Sequence, residues 1–175
     1  ATMTAFTLAA AQSISIAGDV PANIERHLAF MRTAAEQGVQ LLVFPELSLT
    51  GYEPSLAAEL AIAPEDKVLA PLREMARELR LTAVVGMPIR VTPEAGVLIG
   101  ALVLGADGSL AVYTKQHLHA GEEAVFVAGH GGAALEWGDE RIALAVCADF
   151  SHASHPRAAA RAGATVYAAG VLISE

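Results

Sequence analysis

Two kinds of hydrophobic pattern alternate along this chain. Short unbroken apolar runs, such as Gln40 to Phe44 and Leu81 to Met87, predict strands buried on both faces. Between them, apolar residues recur at helical spacing. Ile24, Leu28, Met31 and Ala35 make one face of a predicted helix, with Asp19 as N-cap, Pro21 in the first turn and Gly38 at the end. A second amphipathic helix is predicted over roughly Asp66 to Arg80, with Val68, Leu72, Met75, Ala76 and Leu79 inward and Pro71 limiting its clean start. Small residues from Thr4 to Gln12 predict an opening strand. Ser48, Gly51 and Pro54 mark a loop.

The pattern then changes. Val97 to Leu104, a Gly105–Gly108 turn and Ser109 to Lys115 predict an antiparallel hairpin. Ala133 to Trp137, a turn at Gly138–Glu140 and Arg141 to Cys147 predict another. A polar loop to Pro156, a short helix over Arg157 to Ala162 and a strand from Thr165 to Ala169 follow, and the chain stops soon after Val171. The order is βαβ, αβ, two hairpins, then αβ. It predicts an α/β fold with a mixed sheet or two packed sheets and helices outside. There is no internal repeat or linker, and 175 residues suit a single domain, 1–175, able to bury roughly 70% of its unfolded surface.

Composition narrows the partners. Hydrophobic residues reach 54% while aromatics are only 5%, which suits close packing of helices on sheets. No apolar run approaches the roughly 20 residues of a membrane span. The N-terminus lacks the basic segment of a signal peptide, so a cytoplasmic, reduced protein is expected. A net charge of −8 argues against a nucleic-acid backbone as partner.

Three residues at the ends of apolar runs carry candidate chemistry. Cys147 is the only cysteine, so it is either a buried structural thiol or a nucleophile. As a nucleophile it needs a lowered pKa and some exposure. Glu46 ends the run beginning at Leu41. It is a general base in a dry cleft, or else a carboxylate that caps a helix or pairs with an arginine. Lys115 ends the second strand of the first hairpin, and is either a solvated charge or a cation held beside an oxyanion. His152 and His155 follow the thiol closely enough for a Cys–His pair. No spacing among His117, His119, His130, His152 and His155 matches a metal motif, and Gly129-His-Gly-Gly132 lacks the ending of a phosphate loop.

Jointly these segments resemble the carbon–nitrogen hydrolase, or nitrilase, superfamily. The matching stretches are Leu42-Val-Phe-Pro-Glu-Leu-Ser-Leu-Thr-Gly-Tyr52, then Tyr113-Thr-Lys-Gln-His-Leu118 continuing through Gly121-Glu-Glu-Ala-Val-Phe126 to Gly129, then Ile142-Ala-Leu-Ala-Val-Cys-Ala-Asp149. The resemblance implies a four-layer α-β-β-α sandwich lacking its C-terminal third. It implies a Glu–Lys–Cys triad: Glu46 as general base, Lys115 stabilising the tetrahedral intermediate and Cys147 as nucleophile. It further implies Glu122, rather than Glu123, as a second glutamate that orients substrate, and the N–H of Ala148 together with Tyr52 at the oxyanion and substrate side. No metal or organic cofactor is implied. The expected substrate is a small-molecule amide or N-carbamoyl compound, because Ala148-Asp149 stands where nitrilases carry tryptophan and glutamate. Family members usually assemble as homodimers or larger homo-oligomers.

Three functions from different classes follow. One is an amidohydrolase with a cysteine nucleophile. Another is a catalytically silent module of the same fold, acting in binding or assembly, suggested by the abrupt C-terminus. The third, a thiol redox protein, lacks a resolving cysteine within the chain.

Overall fold

The computed structural model describes residues 5–173, and within them eight strands form two sheets. The first sheet has the order β1 (Leu8–Ala10), β2 (Leu41–Val43), β3 (Thr82–Ile89), β4 (Leu98–Leu104) and β5 (Leu110–Thr114). The second has the order β6 (Leu135–Trp137), β7 (Glu140–Val146) and β8 (Val166–Gly170). Four α-helices join them: α1 (Val20–Glu36), α2 (Pro54–Leu60), α3 (Ala70–Leu79) and α4 (Ser154–Arg161).

Strand direction decides where the chemistry lies. β1, β2 and β3 run parallel, and β4 is antiparallel to both β3 and β5. Two reversals return β5 to the direction of β2, so the carboxyl ends of both strands open on the same edge of the sheet. Glu46 and Lys115 leave from those ends. Parallel neighbours need long crossovers, which α1 supplies between β1 and β2, α2 and α3 between β2 and β3, and α4 between β7 and β8.

Side chains alternate between the two faces of the first sheet. Leu42, Phe44, Ala83, Val85, Met87 and Ile89 pack against Ile24, Leu28 and Met31 of α1 and Leu72 and Ala76 of α3. Leu41, Val43, Val84, Ile99 and Ala101 turn the other way and meet Ile142, Leu144, Val146 and Ala168 of the second sheet. This is why β2 and β3 read as unbroken apolar runs: both their faces are covered. α4 lies along the outward Ala143 side of β7, which completes the α-β-β-α order.

The two sheets meet closely where β2 and β8 end. Gly86, Gly100, Ala101, Ala168 and Gly170 line the seam, and the void left there is about 10 Å3. A Cβ on Gly170 would stand 2.7 Å from the carbonyl oxygen of Phe44, so only glycine lets β8 approach the end of β2 this closely.

Several elements differ from the sequence expectation. The loop signals at Ser48, Gly51 and Pro54 are followed at once by helix α2, Pro54–Leu60, which the sequence pattern did not predict. It buries only Ala57, so it left no apolar stripe to read. The single helix expected over Asp66–Arg80 is a 3-10 turn, Lys67–Leu69, followed by α3. Pro71 sits in the first turn of α3, where its missing N–H costs nothing. Ala34 rather than Ala35 is buried on α1. The opening strand shortens to Leu8–Ala10, and Thr4 lies outside the described residues. The polar loop after β7 is a 3-10 turn, Cys147–Ser151, with α4 starting soon after it, at Ser154. Among the described residues no helix is long and apolar enough to cross a membrane.

Candidate active site

Lys115 follows β5 directly and is fully buried. Its backbone is held on both sides: its N–H donates to the Ile99 carbonyl at 2.9 Å and its carbonyl accepts from Gly129 N–H at 2.7 Å. The glycine-rich segment at Gly129 thus braces β5 rather than cradling a phosphate. From this anchor the lysine ammonium reaches two buried carboxylates. It donates to Glu46 Oε2 at 2.7 Å, and both oxygens of Glu122 lie 3.0 Å away.

The two carboxylates are not equivalent. Glu122 also accepts from the Tyr52 hydroxyl at 2.8 Å and from the His119 N–H at 2.9 Å. Its lone pairs are committed, and it acts as a fixed counter-charge for the lysine. Among the described residues, Lys115 is the only hydrogen-bond partner of the Glu46 carboxylate. Burial raises the pKa of Glu46 and the neighbouring ammonium only partly opposes this. Burial also works against the charge on Lys115, but Glu46 and then Glu122 override it and hold the ammonium above its ordinary range. Tyr52, partly buried and bonded to Glu122, is pushed far up as well and stays a neutral donor.

Cys147 follows β7 directly in a left-handed backbone conformation, φ 40°, which a residue with a Cβ adopts at a cost. The bend turns the chain from strand into the 3-10 turn and leaves the thiol half-buried. Sγ lies 3.9 Å from the Leu172 carbonyl oxygen, and its ionisation feels Glu46, Lys115 and Glu122. The expected lowered pKa is not found. Burial first, then the charge of Glu46, raise the thiol, and Lys115 only partly offsets them because its charge is already paired. Ala148 stands in the first turn of the 3-10 segment, where leading N–H groups have no partner within the helix.

No Cys–His pair forms through His155. Its Nε2 lies 2.7 Å from the Tyr113 hydroxyl and its Nδ1 2.7 Å from that of Tyr167. His152 Nδ1 lies 3.0 Å from the Ala148 carbonyl, and its ring stacks on His117 with centroids 4.1 Å apart. Among the described residues no group of three or more His, Cys, Asp or Glu is arranged to hold a metal ion.

The sequence reading missed Asp149 as a structural hub. It is fully buried and accepts four hydrogen bonds: from Tyr113 Oη, from the N–H groups of Gln116 and His117, and from that of Val146. Gln116 and His117 follow Lys115, and Val146 precedes Cys147. One carboxylate therefore ties the lysine segment to the cysteine turn across the two sheets. The available signal was an acidic residue two positions after the thiol.

A model of the carbon-nitrogen hydrolase family matches residues 7–174. The chain belongs to the carbon–nitrogen hydrolase family. It is 32% identical over 133 residues to an omega-amidase, YafV, of Yersinia enterocolitica, covering 75% of this chain and 50% of the relative. It is 31% identical over 144 residues to a nitrilase of Pyrococcus abyssi, covering 79% of this chain and 54% of the relative. An amidase from Nesterenkonia sp. superposes with a TM-score of 0.85 at 30% identity, over 97% of this chain and 66% of the amidase. A variant of that amidase carries the acetamide moiety of fluoroacetamide covalently on its active-site cysteine, and superposes with a TM-score of 0.86 at 29% identity over 97% of this chain and 66% of its own. The chain thus spans about half the length of these two curated relatives and about two-thirds of the solved amidase. The similarity confirms the nitrilase-type sandwich that the sequence led us to expect.

Proposed function

We propose that this carbon–nitrogen hydrolase chain cleaves an amide or N-carbamoyl bond of a small molecule through a thioester on Cys147. One observation carries the reading: two buried carboxylates flank Lys115, and only Glu46 has hydrogen-bonding capacity left to exchange a proton. Its raised pKa suits the same task.

In this reading Cys147 Sγ attacks the carbonyl carbon while its proton passes to Glu46. The carbonyl oxygen becomes an oxyanion beside the Lys115 ammonium and the Ala148 N–H. Losing one neutral donor at such a position costs roughly 3–4 kcal/mol, and a fixed cation contributes at least on that scale. Collapse breaks the C–N bond, and the leaving nitrogen takes the proton from Glu46. Water then gives a proton to Glu46 and attacks the thioester. The thiolate leaves and recovers the proton, so one carboxylate serves both half-reactions. Glu122 and Tyr52 hold the lysine in place throughout. The amidase likeness and the Ala148-Asp149 sequence support an amide or carbamoyl substrate over a nitrile.

A panel of ω-amides, N-carbamoyl compounds and nitriles, assayed for ammonia and for acyl adducts by intact mass, tests this. The expected result is ammonia from at least one amide or carbamoyl compound and an adduct that Cys147→Ala abolishes. A folded chain that forms neither would instead be a catalytically silent module of the same fold.

A further inference from the structure

The turn that carries Glu46 is held from behind by helix α1. The buried face of α1 is apolar at Ile24, Leu28 and Met31, yet it also buries Asn23 and His27, one helical turn apart. Packing alone gives no reason for two polar side chains there, because an apolar residue would fill the space without needing partners. Both side chains reach the Glu46 turn. Asn23 Nδ2 donates to the Leu49 carbonyl at 3.0 Å. The His27 ring stacks on Phe44, two residues before Glu46, with centroids 4.1 Å apart and planes at 20°. Its Nε2 lies 2.8 Å from Ser48 Oγ, two residues after Glu46.

The direction of every hydrogen bond in this chain of contacts is fixed by chemistry. The Asn23 carbonyl, 2.6 Å from His27 Nδ1, can only accept, so Nδ1 carries the proton. The ring is buried and its pKa falls to about 4, so it is neutral and Nε2 is an acceptor. The Ser48 hydroxyl therefore donates to Nε2, which leaves Oγ to accept the Gly86 N–H at 3.0 Å. Gly86 is the β3 residue against which the turn closes: a Cβ there would lie 2.3 Å from the Leu47 nitrogen. Leu47 itself is forced into a left-handed conformation, φ 51°. That strained turn persists only if its surroundings over-determine it.

We propose that His27 is a positioning residue for Glu46: stacked on Phe44 and bonded to Ser48, it grips the catalytic turn on both sides of the glutamate and fixes the carboxylate against Lys115. The inference rests on the role given to Glu46 under the proposed function. It assigns His27 no contact with substrate.

The test uses the full chain and three variants, His27→Phe, His27→Gln and Ser48→Ala. His27→Phe keeps the ring stack and loses the acceptor. His27→Gln keeps an acceptor oxygen for the Ser48 hydroxyl. The expected result on the amide that the wild type turns over is a fall in kcat of about tenfold or more in His27→Phe and Ser48→Ala, with KM within about twofold, and substantial recovery in His27→Gln. If His27→Phe does not fold, Ser48→Ala decides. Folded variants that keep kcat within about twofold, or that lose only KM, overturn the proposal. NMR gives a readout independent of turnover. In the wild type the imidazole 15N pattern should show a protonated Nδ1 and a bare Nε2, and in Ser48→Ala the titration midpoint of the Glu46 carboxyl 13C signal should move. An unmoved midpoint overturns the positioning role even if the chain proves inactive, whereas inactivity with a moved midpoint counts against the proposed function alone.

Discussion

The Tyr113 hydroxyl donates a 2.5 Å hydrogen bond to Asp149 Oδ2, joining β5, which carries Lys115, to the turn that carries Cys147. His155 completes the contact from α4, with Nε2 2.7 Å from the same hydroxyl. Tyr167 bonds the opposite ring nitrogen, so a neutral His155 donates from Nε2 and accepts at Nδ1, in keeping with the burial that lowers its pKa. The ends of the two sheets that carry Lys115 and Cys147 are thus fastened by one polar chain. Asp149→Asn turns one of its two acceptor oxygens into a donor that faces other donors. We expect a loss of about 2–4 kcal/mol in urea unfolding, together with a fall in kcat. Unchanged stability would show that the clamp holds nothing.

The raised thiol predicts slow alkylation at rest. Iodoacetamide should label Cys147 more slowly at neutral pH than it labels an exposed cysteine, with the rate still climbing above the pH where an ordinary thiol levels off. Glu46 is one cause of the shift, so Glu46→Gln removes a negative charge and lowers the thiol pKa. The variant should therefore alkylate faster than wild type at the same pH while losing turnover. A slower rate in Glu46→Gln would contradict the assigned sign.

The unequal bonding of the two carboxylates predicts unequal losses. Glu46→Gln should reduce kcat by about 10²–10⁴-fold, the range of general acid–base catalysis, with a modest change in stability. Glu122→Gln disturbs bonds to Lys115, Tyr52 and the His119 backbone and unbalances a buried cation. Each variant weakens one buried ion pair to Lys115, but only Glu122→Gln also unsettles the Tyr52 and His119 bonds, so it should unfold at clearly lower urea concentration than Glu46→Gln.

His27 predicts a pH dependence of stability. Its folded pKa of about 4 lies below the unfolded value of 6.5. Above 6.5 both states are neutral there and the residue adds no slope. Between 6.5 and 4 the unfolded chain takes up a proton that the native state refuses, so stability falls as the pH drops, and below 4 the loss levels off. Two and a half pKa units correspond to about 3 kcal/mol. Urea midpoints measured across this window should fall less with acidity in His27→Phe than in wild type. Equal slopes would remove His27 as the source.

Gly170→Ala tests the seam between the sheets. The added methyl would meet the Phe44 carbonyl oxygen at 2.7 Å, and its three nearest neighbours are all backbone atoms of residues 44–46, with no flexible side chain to yield. Overpacking of this kind costs about 1–3 kcal/mol. We expect a lower melting temperature and a larger fractional loss of kcat than of stability-matched variants elsewhere.

Much of this was legible in the sequence, for identifiable reasons. Strands β2 and β3 were visible because both faces are buried, and α1 because Ile24, Leu28 and Met31 keep a strict period. The convergence of Glu46, Lys115 and Cys147 was expected from the three motifs in order; the structure brings Lys115 against Glu46 and Glu122, and the ionisation of Cys147 feels all three charges. Helix α2 escaped notice because a helix that buries one alanine leaves no periodic trace. The roles of Asp149 and His27 escaped too. Their partners lie 33 positions away at Gln116 and 21 positions away at Ser48, distances over which local pattern carries no information. The direction of the thiol shift was misjudged because it depends on a balance of charges, and proximity to Lys115 suggested an activation that Glu46 and Glu122 had already neutralised.

The resting state of Cys147 also bears on survival in a cell. Oxidation by peroxide and capture by stray electrophiles both follow thiolate character. A sulfur that keeps its hydrogen until a substrate carbonyl arrives beside it presents little to such reagents. The lone cysteine of this chain has no second thiol within it to resolve an oxidised form. Withholding nucleophilicity until the moment of use is then a form of protection, provided first by burial and then by the charge of Glu46, the group proposed to accept the hydrogen.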